Sequence, residues 1–310
     1  MEACIMAMSF LPPRLRRLAE GLSVTQKAQA EEFRLRAGRP FSVTLAEGIQ
    51  VPDESDRITS SDIELMVETA TGGSLHTVLD RVCNGFVTVD GGHRLGLCGT
   101  AVMQAGEIAN LRDLSSCCLR VAREKKGVAE RVLPALWAGN DAGILPNVLI
   151  VSPPGGGKTT LLRDLIRALS AGGAGRPPLR VGVADERGEL AGCRHGAAQL
   201  DVGPNTDILD AAPKAIGALL LLKALSPQVV ALDEITAPED VEAVTKLCHC
   251  GVSVLATAHA ESREELLKRA LYRPLAEVFQ KMITVEGKGA ARRYSVTDFA
   301  AGRGAGQLTW

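Results

Sequence analysis

Residues 148–169 read VLIVSPPGGGKTTLLRDLIRAL. Val148, Leu149, Ile150 and Val151 form a short apolar run suited to a central parallel strand. After Thr159, the apolar positions Leu161, Leu162, Leu165, Ile166 and Leu169 recur at helical spacing. Between strand and helix, Gly155, Gly156 and Gly157 let backbone N–H groups turn inward at the positive end of the helix, which is the construction of a phosphate-binding loop. Lys158 is placed to reach the β and γ phosphates of a nucleotide, and Thr159 to offer a hydroxyl to Mg²⁺. The loop opens on Ser152, Pro153 and Pro154, whereas the usual pattern opens on glycine. That first position mainly eases the exit from the strand, so the turn is expected to survive. The expected nucleotide-binding set is Pro154, Gly155, Gly156, Gly157, Lys158, Thr159 and Thr160.

The 310 residues suffice for two domains, and 46% hydrophobic with only 3% aromatic residues predicts cores built from Leu, Val, Ala and Ile. A formal charge of -1 gives no global field toward nucleic acid or anionic lipid. No apolar stretch approaches the ~20 residues that span a bilayer. Glu2 and the prolines at 12 and 13 argue against a secretory leader. The eight cysteines form no even framework, which fits a reducing compartment. Cys248, His249 and Cys250 are adjacent and lack a second ligand pair, so they read as buried thiols at a helix end rather than a metal site.

Turn residues at 139–143 place a domain boundary near residue 135, giving an N-terminal α+β domain (1–135) and a nucleotide-binding domain (136–310). In the first, helices are expected at 12–22 and 61–70, the latter with a Ser61–Glu64 capping box. Strands are expected there at 33–35, 41–45, 86–89, 94–98 and 118–122. In the second, strands at 148–151, 180–184, 229–232 and 252–256 alternate with helices near 212–225 and 238–248. Such alternation predicts a parallel sheet covered on both faces, with ligands at the carboxyl ends of its strands. Segment 171–179 is expected to be a flexible connector, and the Gly-, Ala- and Arg-rich tail after Lys288 partly mobile.

The run at 229–232 leads straight into Asp233 and Glu234, which supplies the second half of a nucleotide-hydrolysing site. Asp233 is expected to hold Mg²⁺ and Glu234 to activate the attacking water. At two other strand ends, Glu186 is either a second carboxylate near the metal or, with Asp185 and Arg187, part of a solvated ion pair at the strand terminus. His259 is either a γ-phosphate contact or a capping histidine.

DERGELAG (185–192), DVGPNTDILDAAPKAIG (201–217), SPQVVALDEI (226–235), VSVLATAHA (252–260), and upstream FRLRAGRP (33–40), GHRLGLCG (92–99) and LRDLSSCCLRVARE (111–124) together resemble the stage III sporulation protein AA family. The resemblance covers nearly the whole chain. It implies a RecA-like P-loop core similar to the type II and type IV secretion ATPases. By the same resemblance, residues 152–160 are the Walker A loop, Asp233 and Glu234 the Walker B acids, Asp185, Glu186 and Glu189 an aspartate box, and His259 a histidine box. It further implies an ATP- and Mg²⁺-dependent homo-oligomer, a hexameric ring, on the cytoplasmic mother-cell side, joined through integral membrane proteins to a sporulation channel. An arginine from the N-terminal domain is then expected to touch phosphate. The candidates are Arg112, Arg120 and Arg123, and their alternative reading is surface solvation. Two other functions stay open at this level. One is a nucleotide-gated scaffold with little turnover; the other is a RecA-type nucleic-acid motor, which neutral charge and scarce aromatics count against.

Overall fold

The computed structural model describes residues 1–73, 85–138, 143–173, 175–287 and 291–299. The chain forms two compact units, Met1–Arg123 with Gly192–Gln199, and Glu124–Ala191 with Leu200 onward.

In the first unit, helices α1 (Glu2–Met8), α2 (Pro13–Glu20), α3 (Val24–Gln29) and α4 (Ser60–Thr71) accompany strands β1 (Ala30–Arg36), β2 (Ser42–Leu45), β3 (Gly48–Gln50), β4 (Phe86–Val89), β5 (His93–Gln104) and β6 (Glu107–Arg120). The strands form one antiparallel sheet in the order β3-β2-β1-β6-β5-β4. A register shift between Ala30 and Glu32 breaks strict alternation, so Ala30, Phe33 and Leu35 all enter the core. They meet Leu15, Phe41, Ile63, Met66, Leu95 and Leu119 there.

Helix α4 is capped two residues earlier than expected. The Thr59 hydroxyl accepts from the Asp62 N–H, and the Asp62 carboxylate accepts from the Thr59 N–H. Arg14 also donates to Asp62 at 2.6 Å, which favours this box over Ser61–Glu64. Strands β5 and β6 run well past the predicted segments, because cross-strand pairing continues to Gln104 and Glu107 although the local sequence turns polar.

The second unit contains α5 (Leu133–Trp137), β7 (Val148–Ser152), α6 (Lys158–Ala171), β8 (Val181–Asp185), β9 (Thr206–Asp210), α7 (Lys214–Leu225), β10 (Val229–Leu232), α8 (Pro238–His249), β11 (Ser253–His259), α9 (Arg263–Lys268), α10 (Leu275–Val278), β12 (Lys281–Glu286) and β13 (Arg293–Asp298). Its sheet has the order β13-β12-β7-β11-β10-β8-β9. All neighbours pair parallel except β13, which runs antiparallel on β12, so the sheet is mixed rather than the parallel one expected.

Residues 124–137 join this unit rather than the first. The Ala129 N–H donates to Asp164 on α6 at 2.7 Å, and Lys126 pairs with Asp201 at 2.5 Å. The division therefore falls after Arg123 instead of near 135. Of residues 139–143, on which the expected break rested, 139–142 lie outside the described residues, as does Ala174 of the connector. The tail is ordered as β13 over 293–298, while 288–290 and 300–310 lie outside the described residues. Cys250 is exposed, not buried; Cys248 is half-buried and accepts from Asn147 Nδ2 at 3.1 Å.

The registers set the site. His259 lies opposite Ser152, Leu232 opposite both Ala256 and Ala184, and each of these strands ends at the same edge of the sheet. The glycine loop and the acids after β8 and β10 are thereby gathered without any one segment encoding their proximity.

Candidate active site

Strand β7 is fully buried, and the chain leaves it at Ser152 into a loop that ends where Gly157 caps α6. Gly155 (φ 73°) and Gly157 (φ 102°) adopt left-handed backbone that other residues resist. Gly156 is required for a different reason. A Cβ there would lie 2.3 Å from Ser152 Oγ and 2.8 Å from Ser152 Cβ. The Ser152 side chain thus occupies the space that Gly156 leaves free, which is how the loop accommodates serine at its first position.

Lys158 opens α6 and is almost fully buried. Its ammonium donates to the carbonyls of Ser152 (3.2 Å) and Pro153 (3.4 Å) and to His259 Nδ1 (2.8 Å). An ammonium has no acceptor, so Nδ1 accepts and the imidazole proton sits on Nε2, which donates to Glu234 Oε1 at 2.8 Å. Lys158, His259 and Glu234 therefore form one continuous line. Burial lowers the Lys158 pKa, and the charges of Asp233 and Glu234 oppose that shift.

Asp233 accepts from the Thr159 hydroxyl at 2.8 Å and from the Thr257 hydroxyl at 2.6 Å. Burial raises its carboxyl pKa against those two bonds, and the nearby Glu189 and Glu234 charges add to the rise. Glu234 follows with φ 56°, its N–H donating to Thr257 Oγ1 at 2.8 Å and its second oxygen taking Arg187 at 3.1 Å. The strained backbone turns the carboxylate from the sheet toward His259 and Arg187. A buried carboxylate beside a hydroxyl on a helix N-terminus is a hard-oxygen donor pair of the kind that suits Mg²⁺. Together with a glycine cradle and a buried lysine, these residues fit a magnesium nucleotide.

The acids after β8 are placed differently. Asp185 is buried and lines the same small cavity as Asp233 and Glu234, but its carboxylate is taken up by backbone. Its carboxylate accepts the backbone N–H groups of Glu189 (2.9 Å), Leu190 (3.1 Å) and Ala191 (2.8 Å), so it folds the loop that follows it. Arg163 reinforces that loop by donating to the Leu190 carbonyl at 2.7 Å. Glu186 is paired with Lys214 at 2.9 Å and lines a small cavity with Asp233 and Glu234. Lys214 is also 3.6 Å from Asp240. Of the expected residues, the structure therefore gathers Lys158, His259 and Glu234 in one chain of contacts and Thr159 with Asp233 in another, the two joined through Thr257, and holds Glu186 in the cavity lining on a lysine.

Pro154 and Thr160 belong to the loop and the first turn of α6. Arg120 lies in the first unit, where its Nε is 2.9 Å from Glu32 Oε1. Burial acts to raise the Glu32 pKa, but Arg34 and Arg120 outweigh it and hold the carboxyl below its ordinary value. Arg123 donates to the Ala30 carbonyl at 2.7 Å, and Arg112 sits 3.6 Å from its neighbour Asp113.

Thr257, Arg187 and Lys214 were not anticipated as site residues. Arg187 stood in the sequence only as an ion-pair partner at the strand end, and Thr257 left a signal by standing two positions before His259 on a strand and so on the same face.

Comparison with known proteins bears on this arrangement. The family described as sporulation stage III, protein AA, matches residues 5–297. The chain belongs to that family. Stage III sporulation protein AA of Bacillus subtilis (strain 168) is 38% identical over 267 residues, 86% of this chain and 85% of that protein. Among solved structures, the Legionella pneumophila ATPase DotB superposes with a TM-score of 0.60 at 15% identity, over 93% of this chain and 81% of that one. The pilus retraction motor PilT, solved with bound ADP, gives a TM-score of 0.56 at 16% identity, over 86% of this chain and 78% of the other. At those identities the likeness is one of fold. The chain thus shares an α/β architecture with the DotB ATPase and the PilT motor, and among its described residues no helix is long and apolar enough to cross a membrane.

Proposed function

We propose that this protein is a Mg²⁺-dependent ATP hydrolase with a RecA-like P-loop core. In this reading it acts as a ring-forming motor that energises the mother cell to forespore channel through integral membrane partners. The observation that carries the catalytic part is the line Lys158–His259–Glu234 lying beside Thr159–Asp233, at the carboxyl ends of parallel strands and the foot of a glycine loop. The B. subtilis relative's name and the DotB and PilT folds support the motor and its setting.

In this reading the loop amides of 154–157 and Thr160 hold the phosphates, and Lys158 transfers its donors from the Ser152 and Pro153 carbonyls to phosphate oxygens. Thr159 and Asp233 hold Mg²⁺, which when bound neutralises charge on the β and γ oxygens. Glu234 orients a water and accepts its proton as the water oxygen bonds to the γ phosphorus and the bond to the β–γ bridging oxygen breaks. His259 keeps the carboxylate aimed by donating from Nε2. Arg120 stays a candidate phosphate contact, with its Nε engaged by Glu32. Glu186 stays a candidate acid through its place at the shared cavity.

The test is phosphate release and ATP binding in two variants. Lys158→Ala is expected to abolish binding or hydrolysis. Glu234→Gln is expected to bind ATP while turnover falls on the order of 10²-fold or more. Wild-type turnover by Glu234→Gln would remove Glu234 as the base.

A further inference from the structure

Arg292 lies in the connection between β12 and β13, immediately before the Glu286–Arg293 pair that closes this hairpin. Strand β12 runs parallel to β7, with Thr284 opposite Val151, so the carboxyl end of β12 lies at the edge where the glycine loop begins. Gly287 (φ 76°) lies close against Ala291; a Cβ there would meet the Ala291 carbonyl oxygen at 2.6 Å. The result is that Arg292 lies on the loop itself. A Cβ built on Gly157 would fall 2.7 Å from Arg292 Cζ and 2.9 Å from both Nε and Nη1. The Nε–H is buried and has no hydrogen-bond partner among the described residues.

This placement is unfavourable unless something else arrives. A guanidinium at the N-terminus of α6 faces the positive end of the helix dipole, and a buried donor without an acceptor bears its full desolvation cost. The neighbouring cation, Lys158, has carbonyls, an imidazole and two nearby carboxylates to offset its burial. An anion between the helix N-terminus and the guanidinium would serve both at once. Resting on the reading of this loop as a nucleotide site, we infer that Arg292 is a phosphate-binding residue of the same chain, donating to a β- or γ-phosphoryl oxygen of the bound nucleotide. Arg292, just before β13, then forms a second side of the phosphate pocket.

Calorimetric titration of the full chain with Mg²⁺·ATPγS and Mg²⁺·ADP tests this, using wild type, Arg292→Ala and Arg292→Lys, each with a melting curve of the free protein. Arg292→Ala is expected to raise at least one dissociation constant on the order of 10- to 100-fold, the range for loss of a charge-assisted hydrogen bond. Its unliganded melting temperature should not fall. Arg292→Lys, which keeps the charge but not the planar fork, should recover part of the affinity. Loss for ATPγS alone assigns the contact to the γ phosphate, and loss for both nucleotides to the β phosphate. Affinities within twofold of wild type in Arg292→Ala, or a loss that tracks a lowered melting temperature and is not relieved by lysine, would overturn the inference. If wild type binds neither nucleotide, the reading of the loop falls first and takes this inference with it.

Discussion

Replacing Asp185 by alanine is expected to damage the fold before it damages any chemistry. The carboxylate is 2% exposed and is the acceptor for the N–H groups of Glu189, Leu190 and Ala191. Leu190 and Ala191 are themselves fully buried, so water cannot readily replace the lost acceptor. Each stranded buried donor costs ~1–3 kcal/mol, and relief by relaxation of the loop brings the total to ~3–5 kcal/mol. For a cooperative unit of this size ~1 kcal/mol corresponds to ~2–4 °C, so the melting temperature should fall on the order of 10 °C. Asp185→Asn keeps one acceptor oxygen and should lose about half as much.

The pH dependence has a definite sign. Burial raises the folded pKa of Asp185 above 3.8 against the three N–H bonds. The folded chain therefore retains this proton to higher pH than the unfolded chain does. The stability linked to it is complete below the unfolded value and is lost as pH rises through the folded one. Asp185→Asn should flatten that part of the stability profile. The assay is thermal unfolding without nucleotide, followed by far-ultraviolet circular dichroism from acid to neutral pH. An Asp185→Ala protein that melts within about 2 °C of wild type would refute the structural role and leave Asp185 only the aspartate-box reading that the resemblance implies.

Gly156→Ala should destabilise the loop by ~1–3 kcal/mol through its clash with buried Ser152, and adding Ser152→Gly should restore most of that, as a double-mutant cycle in denaturant will show. His259→Ala should leave ATPγS affinity within about threefold of wild type while lowering turnover on the order of 10²-fold, since Glu234 loses its Nε2 donor; unchanged turnover would count against the line of contacts. Asn147→Ala removes an acceptor for Val254 N–H (2.9 Å) and a donor to the Val278 carbonyl (2.7 Å), and a melting temperature unchanged by it would deny that this side chain ties β11 to the α10 turn. The expected cost is ~2–4 kcal/mol.

Much of this architecture was legible because it rests on local pattern. The apolar runs ending at Ser152, Leu232 and Ala184 are strands whose side chains are buried on both faces, and such runs announce themselves without knowledge of neighbours. Strand β13 was not legible. Its sequence, RYSVTD, carries charge at both ends, and it is held by six-residue pairing with β12 rather than by apolarity of its own. Arg292 was hidden for the same reason. Its meaning depends on a hairpin register and on the β12–β7 pairing, neither of which a one-dimensional reading of a Gly-, Ala- and Arg-rich tail contains.

The two strand-end aspartates set the limit of what local pattern can decide. Asp185 closes VGVAD and Asp233 follows VVAL, so each stands at the carboxyl end of a buried strand in the same sheet, and the strands are direct neighbours. Local sequence gives them the same prospects. What separates them is who arrives next to each carboxylate. Asp233 meets the hydroxyls of Thr159 and Thr257, supplied by a different helix and a different strand, and hydroxyls can exchange one acceptor for another as a ligand binds. Asp185 meets backbone N–H groups from the loop it begins, and a carboxylate satisfied by its own chain has no such freedom. Chemistry is therefore available to the acid whose partners come from distant segments, and architecture falls to the acid whose partners come from its own. On that ground Asp233 belongs with Lys158, Thr159 and Glu234, while Asp185 holds the loop Glu186–Ala191 in place so that Glu186 can meet Lys214.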